Sequence, residues 1–146
     1  MFAKLQSHLS LKKCTKDGLQ AVKWSDRGKF QIINTRKLKC SVDIDNCLHE
    51  AFASENRWDY LVLVDDSVQG HFVEIHPAHT SEVSTMIKKK QWLEKEIIKK
   101  TFKDIDKSKY RIIWIATDAG VKILKTSKQH RQLAKENLLP QKTCVI

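Results

Sequence analysis

Two acidic residues interrupt apolar stretches of this chain. Asp59 lies within residues 58–64 and Glu74 lies within residues 71–76. A carboxylate that faces a protein core is costly unless it is paired, hydrogen-bonded or bound to a cation. If the two stretches are neighbouring strands, their carboxylates can meet at one sheet edge and attract a divalent cation such as Mg²⁺. Such a cation polarises a phosphodiester and lowers the pKa of an attacking water, so the pair indicates metal-assisted hydrolysis.

The elements around the pair support this arrangement. Residues 58–64 are continuously apolar apart from Asp59, which is typical of a buried central strand. A turn at 67–70 leads into a second strand over 71–76, which we expect to stop at Pro77. The two strands are most simply an antiparallel hairpin.

A long helix follows, capped by Thr80 or Ser81 and extending to about Thr101. Its apolar stripe faces the sheet and contains one lysine; the stripe is Val83, Met86, Ile87, Lys90, Leu93, Ile97 and Ile98. Residues 110–117 predict a further buried strand, so the helix is a crossover connection.

The remaining segments predict an extension at each end of this core. A short amphipathic helix is expected over 2–12, and a hairpin is expected from strands 30–33 and 38–44. Asp45 or Asn46 would cap a helix to about Ser54. The sequence therefore predicts one α/β domain over 1–146, with a central mixed sheet flanked by helices, a core at about 44–118 and a basic C-terminal helix at about 125–139.

Composition excludes several classes of protein. Of the 146 residues, 41% are hydrophobic and 30% are charged, as in a globular domain rather than a disordered one. No apolar run approaches the roughly 20 residues that cross a bilayer, and residues 1–13 lack the apolar core of a signal peptide. We therefore expect no membrane association and a cytoplasmic location.

The four cysteines are Cys14, Cys40, Cys47 and Cys144. None forms the Cys-x-x-Cys spacing of a structural zinc site, so we expect buried or idle thiols.

Positive charge is concentrated in the second half of the chain. Residues 1–85 carry 11 Lys or Arg and 11 Asp or Glu, so the whole net charge of +10 lies in residues 86–146. A one-sided positive field attracts polyanions, and nucleic acid is the expected partner. The side chains expected to contact phosphates are Lys88, Lys89, Lys122, Lys125, Lys128, Arg131 and Lys135.

The order of helix, Asp-bearing strand, Glu-bearing strand, long helix and strand resembles the core of the restriction-endonuclease-like, or PD-(D/E)XK, nuclease superfamily. The matching residues are Arg57-Trp58-Asp59-Tyr60 and Val73-Glu74-Ile75-His76. The resemblance implies that Asp59 and Glu74 hold Mg²⁺ or Mn²⁺ and that the carbonyl of Ile75 is a third ligand. It also implies that Glu50 is the extra acidic residue that some members carry on the preceding helix.

The chain departs from that family at His76, where the motif normally has lysine. A neutral imidazole can accept a proton or bind a metal, but it carries no permanent charge near pH 7. Three interpretations are open. His76 is a general base, or Lys90 supplies the missing charge from the long helix, or the site has lost catalysis and kept a binding surface.

These observations lead to one functional hypothesis and one alternative. The chain is expected to be a metal-dependent nuclease for DNA or RNA, with Asp59, Glu74, His76 and Lys90 as its catalytic residues. The alternative is a catalytically inactive nuclease-fold protein that binds nucleic acid or a partner protein. Its short length also fits a homodimer or a component of a larger assembly.

Overall fold

The computed structural model describes all residues, 1–146, and contains seven strands. They are β1 (Thr15–Asp17), β2 (Phe30–Gln31), β3 (Leu38–Asp43), β4 (Tyr60–Val64), β5 (Gly70–His79), β6 (Tyr110–Lys122) and β7 (Cys144–Val145). The central sheet has the spatial order β1-β3-β4-β5-β6, in which β6 is parallel to β5 and all other neighbours are antiparallel. β2 and β7 form a small parallel sheet.

The helices are α1 (Phe2–Ser7), α2 (Leu9–Lys13), α3 (Ile44–Cys47), α4 (Val83–Trp92), α5 (Lys99–Thr101) and α6 (Lys128–Lys135). A π-helical turn joins α4 to α5, so the chain stays helical over 83–101, and we call this segment the crossover helix. None of the helices combines the length and the apolar character that a membrane crossing requires. The predicted α/β class, with a mixed sheet flanked by helices, is confirmed.

Alternating side chains divide the central sheet into two buried faces. Leu61, Leu63, Phe72 and Trp114 lie on the helix face, which the crossover helix, α1 and α2 cover. The opposite face carries a second cluster, which residues of the segment 19–33 and of β7 cover; its sheet members are Tyr60, Val62, Val73, Ile113 and Ile115. Each fully buried aliphatic side chain contributes about 1.5 to 3 kcal/mol. Every residue of β4 is buried, which explains why its sequence does not alternate.

The predicted hairpin of 30–33 and 38–44 is wrong. β3 lies between β1 and β4 in the central sheet, whereas β2 pairs with β7 at the other end of the chain. Phe30 packs edge-to-face on Tyr60 at 6.5 Å between ring centroids, which places β2 above the opposite face rather than beside β3. The short polar strand β1 takes the place beside β3 that the prediction gave to residues 30–33.

β5 does not stop at Pro77, as the sequence predicted, but continues to His79. Pro77 lies at a register shift, because His76 pairs with Ala116 whereas Ala78 pairs with Val121. Proline is tolerated at such a bulge, since no ladder hydrogen bond requires its missing N–H. The extra residues of β6 form a bulge that ends at Gly120, whose φ of 75° favours glycine. β5 and β6 therefore extend past the beginning of β4.

The predicted helix from Asp45 to Ser54 is also too long. The side chain of Asp43 caps α3 by accepting a hydrogen bond from the amide of Asn46, and the helix ends at Cys47. The following turns are held by Arg57, whose guanidinium donates to the carbonyls of Phe52 and Ala53. The carbonyl of Phe52 accepts from the amide of Glu55 as well, so this stretch consists of tight turns and not of a continued helix.

A disulfide between Cys14 and Cys47 joins the end of α2 to the end of α3, whereas Cys40 and Cys144 are buried free thiols. The expectation of an idle thiol is therefore wrong for Cys47. The two residues are 33 positions apart, and sequence spacing alone does not show which cysteines meet.

We expect two reactive thiols per denatured chain without reductant and four after reduction. Cys14→Ser should lower the free energy of unfolding by about 3 to 4 kcal/mol, because a cross-link of this loop length restricts the unfolded chain. Thiol titration in denaturant and urea unfolding measure the two effects. Four thiols in the unreduced chain would contradict the cross-link.

Candidate active site

Asp59 and Glu74 meet on the helix face of the central sheet. β4 and β5 pair with Tyr60 opposite Val73, so Asp59, which directly precedes β4, lies opposite Glu74. Residues directly opposite each other in an antiparallel pair project to the same face. Glu74 is 1% exposed and Asp59 is partly buried, so the two carboxylates share an enclosed space beneath the crossover helix.

Reciprocal hydrogen bonds fix both carboxylates against the backbone. The amide of Asp59 donates to Oε2 of Glu74 at 2.9 Å, and the amide of Ile75 donates to Oδ2 of Asp59 at 2.9 Å. The backbone pairing of β4 with β5 ends at Tyr60 and Val73, and these side-chain bonds join the two chains one residue further on. Each carboxylate keeps one oxygen for another partner.

Lys89 provides that partner for Glu74. Its ammonium reaches from the crossover helix to Oε1 of Glu74, and its side chain is only 16% exposed. The sequence predicts Lys89 as one of the phosphate-contacting residues of the basic surface, but its side chain points into the enclosed space and does not lie on that surface.

One open interpretation has Lys90 supply the charge of the site, but its ammonium contacts glutamates other than Glu74. Its ammonium contacts the carbonyl oxygen of Glu136 at 2.7 Å and Oε2 of the same residue at 3.0 Å. Successive helical residues differ in direction by about 100°, so Lys89 and Lys90 cannot both point at Glu74. Lys90 instead joins the crossover helix to the end of α6.

His76 lies two residues beyond Glu74 in β5, so its side chain points to the same face of the sheet. Its Nε2 is 2.7 Å from Oε2 of Glu82, and its Nδ1 is 3.8 Å from Oε1 of Glu74. The indole of Trp114 donates to the carbonyl of His76 at 3.0 Å and holds the backbone there. Glu82 was not expected in the site, because it begins the predicted helix and no sequence pattern connects it with His76.

Burial shifts the titration of both carboxyl groups. Burial, followed by the charge of Asp59, raises the pKa of Glu74 to about 8, although Lys89 and the hydrogen bond from the Asp59 amide oppose the shift. Burial also raises the pKa of Asp59, against the hydrogen bond from Ile75 and the charge of Lys89. The pair is therefore short of positive charge, and a further cation would favour the ionised form of both groups.

The donor set fits a divalent cation in part. Asp59 offers one free oxygen, whereas both oxygens of Glu74 are bound, Oε2 by the amide of Asp59 and Oε1 by Lys89, so a cation would have to share or displace the Lys89 contact. The carbonyl of Ile75 faces the same strand edge as its amide. Glu50, in contrast, is exposed in the turns after α3, so the prediction that it joins the ligands from a helix is not supported. The structure contains no group of three or more His, Cys, Asp or Glu side chains placed to hold a metal. Backbone carbonyl and water oxygens would have to complete the shell.

The other basic residues form an exposed surface. Lys128, Arg131 and Lys135 project from one side of α6, because positions three and seven residues apart face the same way. Leu133 anchors the other side of that helix in the core. Lys122 pairs with His79 at the end of β5, and Lys88 and Lys125 are exposed.

Comparison of the chain with protein-family models, with curated proteins and with solved structures finds no match.

The raised pKa of Glu74 makes the stability of the fold pH-dependent. The folded carboxyl titrates near 8 and the unfolded one near 4.5, so the folded state holds more protons between these values and loses stability as the pH rises through them. Glu74→Gln should remove about 3 to 5 kcal/mol of this loss. Urea unfolding between about pH 5 and pH 8, in buffer with chelator, measures the difference.

Glu50→Gln is the matched control, because Glu50 is exposed and should leave the pH profile unchanged. Parallel profiles for wild type and Glu74→Gln would show that Glu74 is ionised normally in the folded protein.

Proposed function

We propose that this protein is a metal-dependent phosphodiester hydrolase that acts on nucleic acid, with Asp59 and Glu74 as the residues that hold Mg²⁺ or Mn²⁺. One observation carries the proposal. Two carboxylates from neighbouring strands lie side by side in an enclosed space and orient each other through backbone amides. Such a pair is costly to assemble without a cation, and perturbed carboxyl groups of this kind are concentrated at functional sites.

The element order supports a restriction-endonuclease-like core as part of this proposal. Asp59 precedes β4, Glu74 lies on the adjacent β5, and the crossover helix leads to the parallel strand β6. This is the order of helix and strands from which the sequence resemblance was inferred. The expected motif lysine is replaced by His76 in β5, and Lys89 brings a lysine ammonium to Glu74 from the crossover helix.

The side chains of the site have separable roles in this proposal. A bound divalent cation would polarise the scissile phosphate and lower the pKa of a water molecule. Lys89 places a permanent positive charge beside the reacting phosphate, which is the contribution expected of the motif lysine. His76 accepts a proton at Nδ1 when its Nε2–H is donated to Glu82, so it is the candidate general base.

The exposed basic side chains would hold the substrate. Lys122, Lys128, Arg131 and Lys135 lie on the surface and can contact phosphates without reading the base sequence.

Plasmid cleavage with Mg²⁺ or Mn²⁺ tests this proposal. Glu74→Ala and Asp59→Ala should lower the cleavage rate at least about 100-fold, because each removes a cation ligand. Lys89→Ala should cause a loss of about 10²- to 10³-fold, as expected for a charge that stabilises the transition state.

Lys90→Ala is the matched control for Lys89→Ala. Both lysines lie on the crossover helix, but Lys90 contacts Glu136 rather than Glu74, so its removal should leave cleavage within a few-fold of wild type. Cleavage that survives Glu74→Ala would assign the activity to a contaminant or to another site.

A catalytically inactive protein that binds nucleic acid is the second candidate, and the position of Lys89 favours it. The ammonium already balances part of the negative charge of Glu74, and only two acidic side chains converge. In that case the Glu74–Lys89 pair is structural and the basic surface is the functional part of the protein.

Calorimetric titration with Mn²⁺ separates the two candidates. The nuclease should bind Mn²⁺ and release a proton near pH 7, because Glu74 must ionise, so the apparent enthalpy should vary with the ionisation enthalpy of the buffer. Asp59→Asn should abolish binding. The inactive protein should bind no Mn²⁺ but should bind DNA with an affinity that falls steeply with salt.

A further inference from the structure

Trp24 is an aromatic side chain that no part of the site description uses. It is 83% exposed, whereas Trp58, Trp92 and Trp114 are at most 6% exposed. It begins the 3₁₀ turn Trp24–Lys29, in the segment that crosses the opposite face of the sheet. Burying an indole removes more surface from water than burying almost any other side chain. The exposure of Trp24 is therefore unfavourable for the isolated protein.

The backbone around Trp24 is anchored rather than loose. Val22 and Phe30 are buried on either side of the turn, and the amide of Ala21 donates to the hydroxyl of Ser41 at 3.0 Å. Inside the turn, the hydroxyl of Tyr60 donates to Oδ2 of Asp26 at 2.6 Å. The indole is therefore presented to solvent by a segment that is fixed to the central sheet.

One side of the indole is already supported. The guanidinium carbon of Arg27 lies 5.3 Å from the ring centroid, which is a cation–π contact. Arg27 is held in this place by hydrogen bonds to the carbonyls of Val22, at 3.1 Å, and Gln20, at 3.4 Å. Arg27 is therefore a partner for the ring, and most of the indole surface faces solvent.

This segment reaches the end of β4 that carries Asp59, although it lies on the opposite face of the sheet. Tyr60, which contacts Asp26, directly follows Asp59 in the chain. The charge of Lys23, the residue before Trp24, acts on the carboxylates of both Asp59 and Asp43. A nucleic acid strand with a phosphate at Asp59 and Glu74 would have to pass round this end of β4 to reach Lys23 and Trp24.

We propose that Trp24, supported by Arg27, is a stacking platform for an unpaired nucleobase, and that the preferred substrate is single-stranded or locally unpaired nucleic acid. An unpaired base presents a free ring face, whereas bases inside a duplex are covered by their neighbours. Lys23 supplies a contact for the flanking phosphate, which is the usual combination at single-strand binding surfaces. The inference rests on the proposed function for the nature of the ligand.

Fluorescence makes the platform directly observable, because Trp24 is the exposed tryptophan of the chain. A short oligothymidylate, added in buffer with chelator and no divalent metal, should quench the indole emission and protect it from acrylamide. The matched blunt duplex should bind with much less quenching. Binding of the oligothymidylate without any change in emission overturns the proposal.

The contribution of Trp24 to strand binding is measured with variants, by the fluorescence anisotropy of labelled oligothymidylate. Trp24→Ala should weaken binding about 5- to 100-fold, the range for loss of one stacked base, and Trp24→Phe should recover most of it. Duplex affinity should change less than about two-fold. Leu9→Ala is the matched control, because Leu9 is 84% exposed and remote from the turn in sequence and element. Equal affinities for wild type and Trp24→Ala, or equal losses for the strand and the duplex, overturn the proposal.

The outcome is independent of catalysis, since the binding assays contain no metal. If Trp24→Ala weakens strand binding while wild type never cleaves, the platform is correct and the nuclease proposal fails. If wild type cleaves and Trp24→Ala binds and cleaves like wild type, the stacking platform is wrong and the nuclease proposal stands. Failure of wild type to bind either oligonucleotide overturns the platform, and specific binding of an aromatic peptide at Trp24 would then assign the surface to protein recognition.

Discussion

The burial of Glu74 beside Asp59 is the interaction on which the candidate site depends. An ionised carboxylate in an enclosed space requires compensation, and here two neighbouring elements supply it. The amide of Asp59 comes from the beginning of β4, the ammonium of Lys89 comes from the crossover helix, and Glu74 itself comes from β5. The geometry of the site is therefore inseparable from the packing of that helix on the sheet.

The same interaction relates the two candidate functions. A lysine beside two carboxylates stabilises the fold without metal, and it also places a positive charge where a phosphate would be held. The segment that contains Trp24 also has two roles. The segment with Trp24 closes the opposite face of the sheet through Val22 and Phe30, and it presents an indole to solvent. Elements that complete the core here also define the surface that a substrate would meet.

Errors in the sequence-based predictions have identifiable physical causes. Lys90 was selected because it lies on the apolar stripe of a helix, but a long side chain can leave that stripe, and its ammonium reaches Glu136. The hairpin of 30–33 and 38–44 was inferred from proximity in the chain, whereas β2 pairs with β7 over a long separation. The sequence predicts that a strand ends at Pro77, because a bulge that accommodates proline has no local signature.

The sequence by itself determined the α/β class, the buried strands, the extent of the crossover helix and the two acidic residues that meet, because hydrophobic periodicity and an acidic residue in an apolar run are local signals. The tertiary structure decided which lysine compensates Glu74, which partner holds His76, which cysteines join and where Trp24 is presented. These outcomes depend on distances between residues far apart in the chain. Such distances are set by the packing of helices and strands, to which a single sequence gives no direct access.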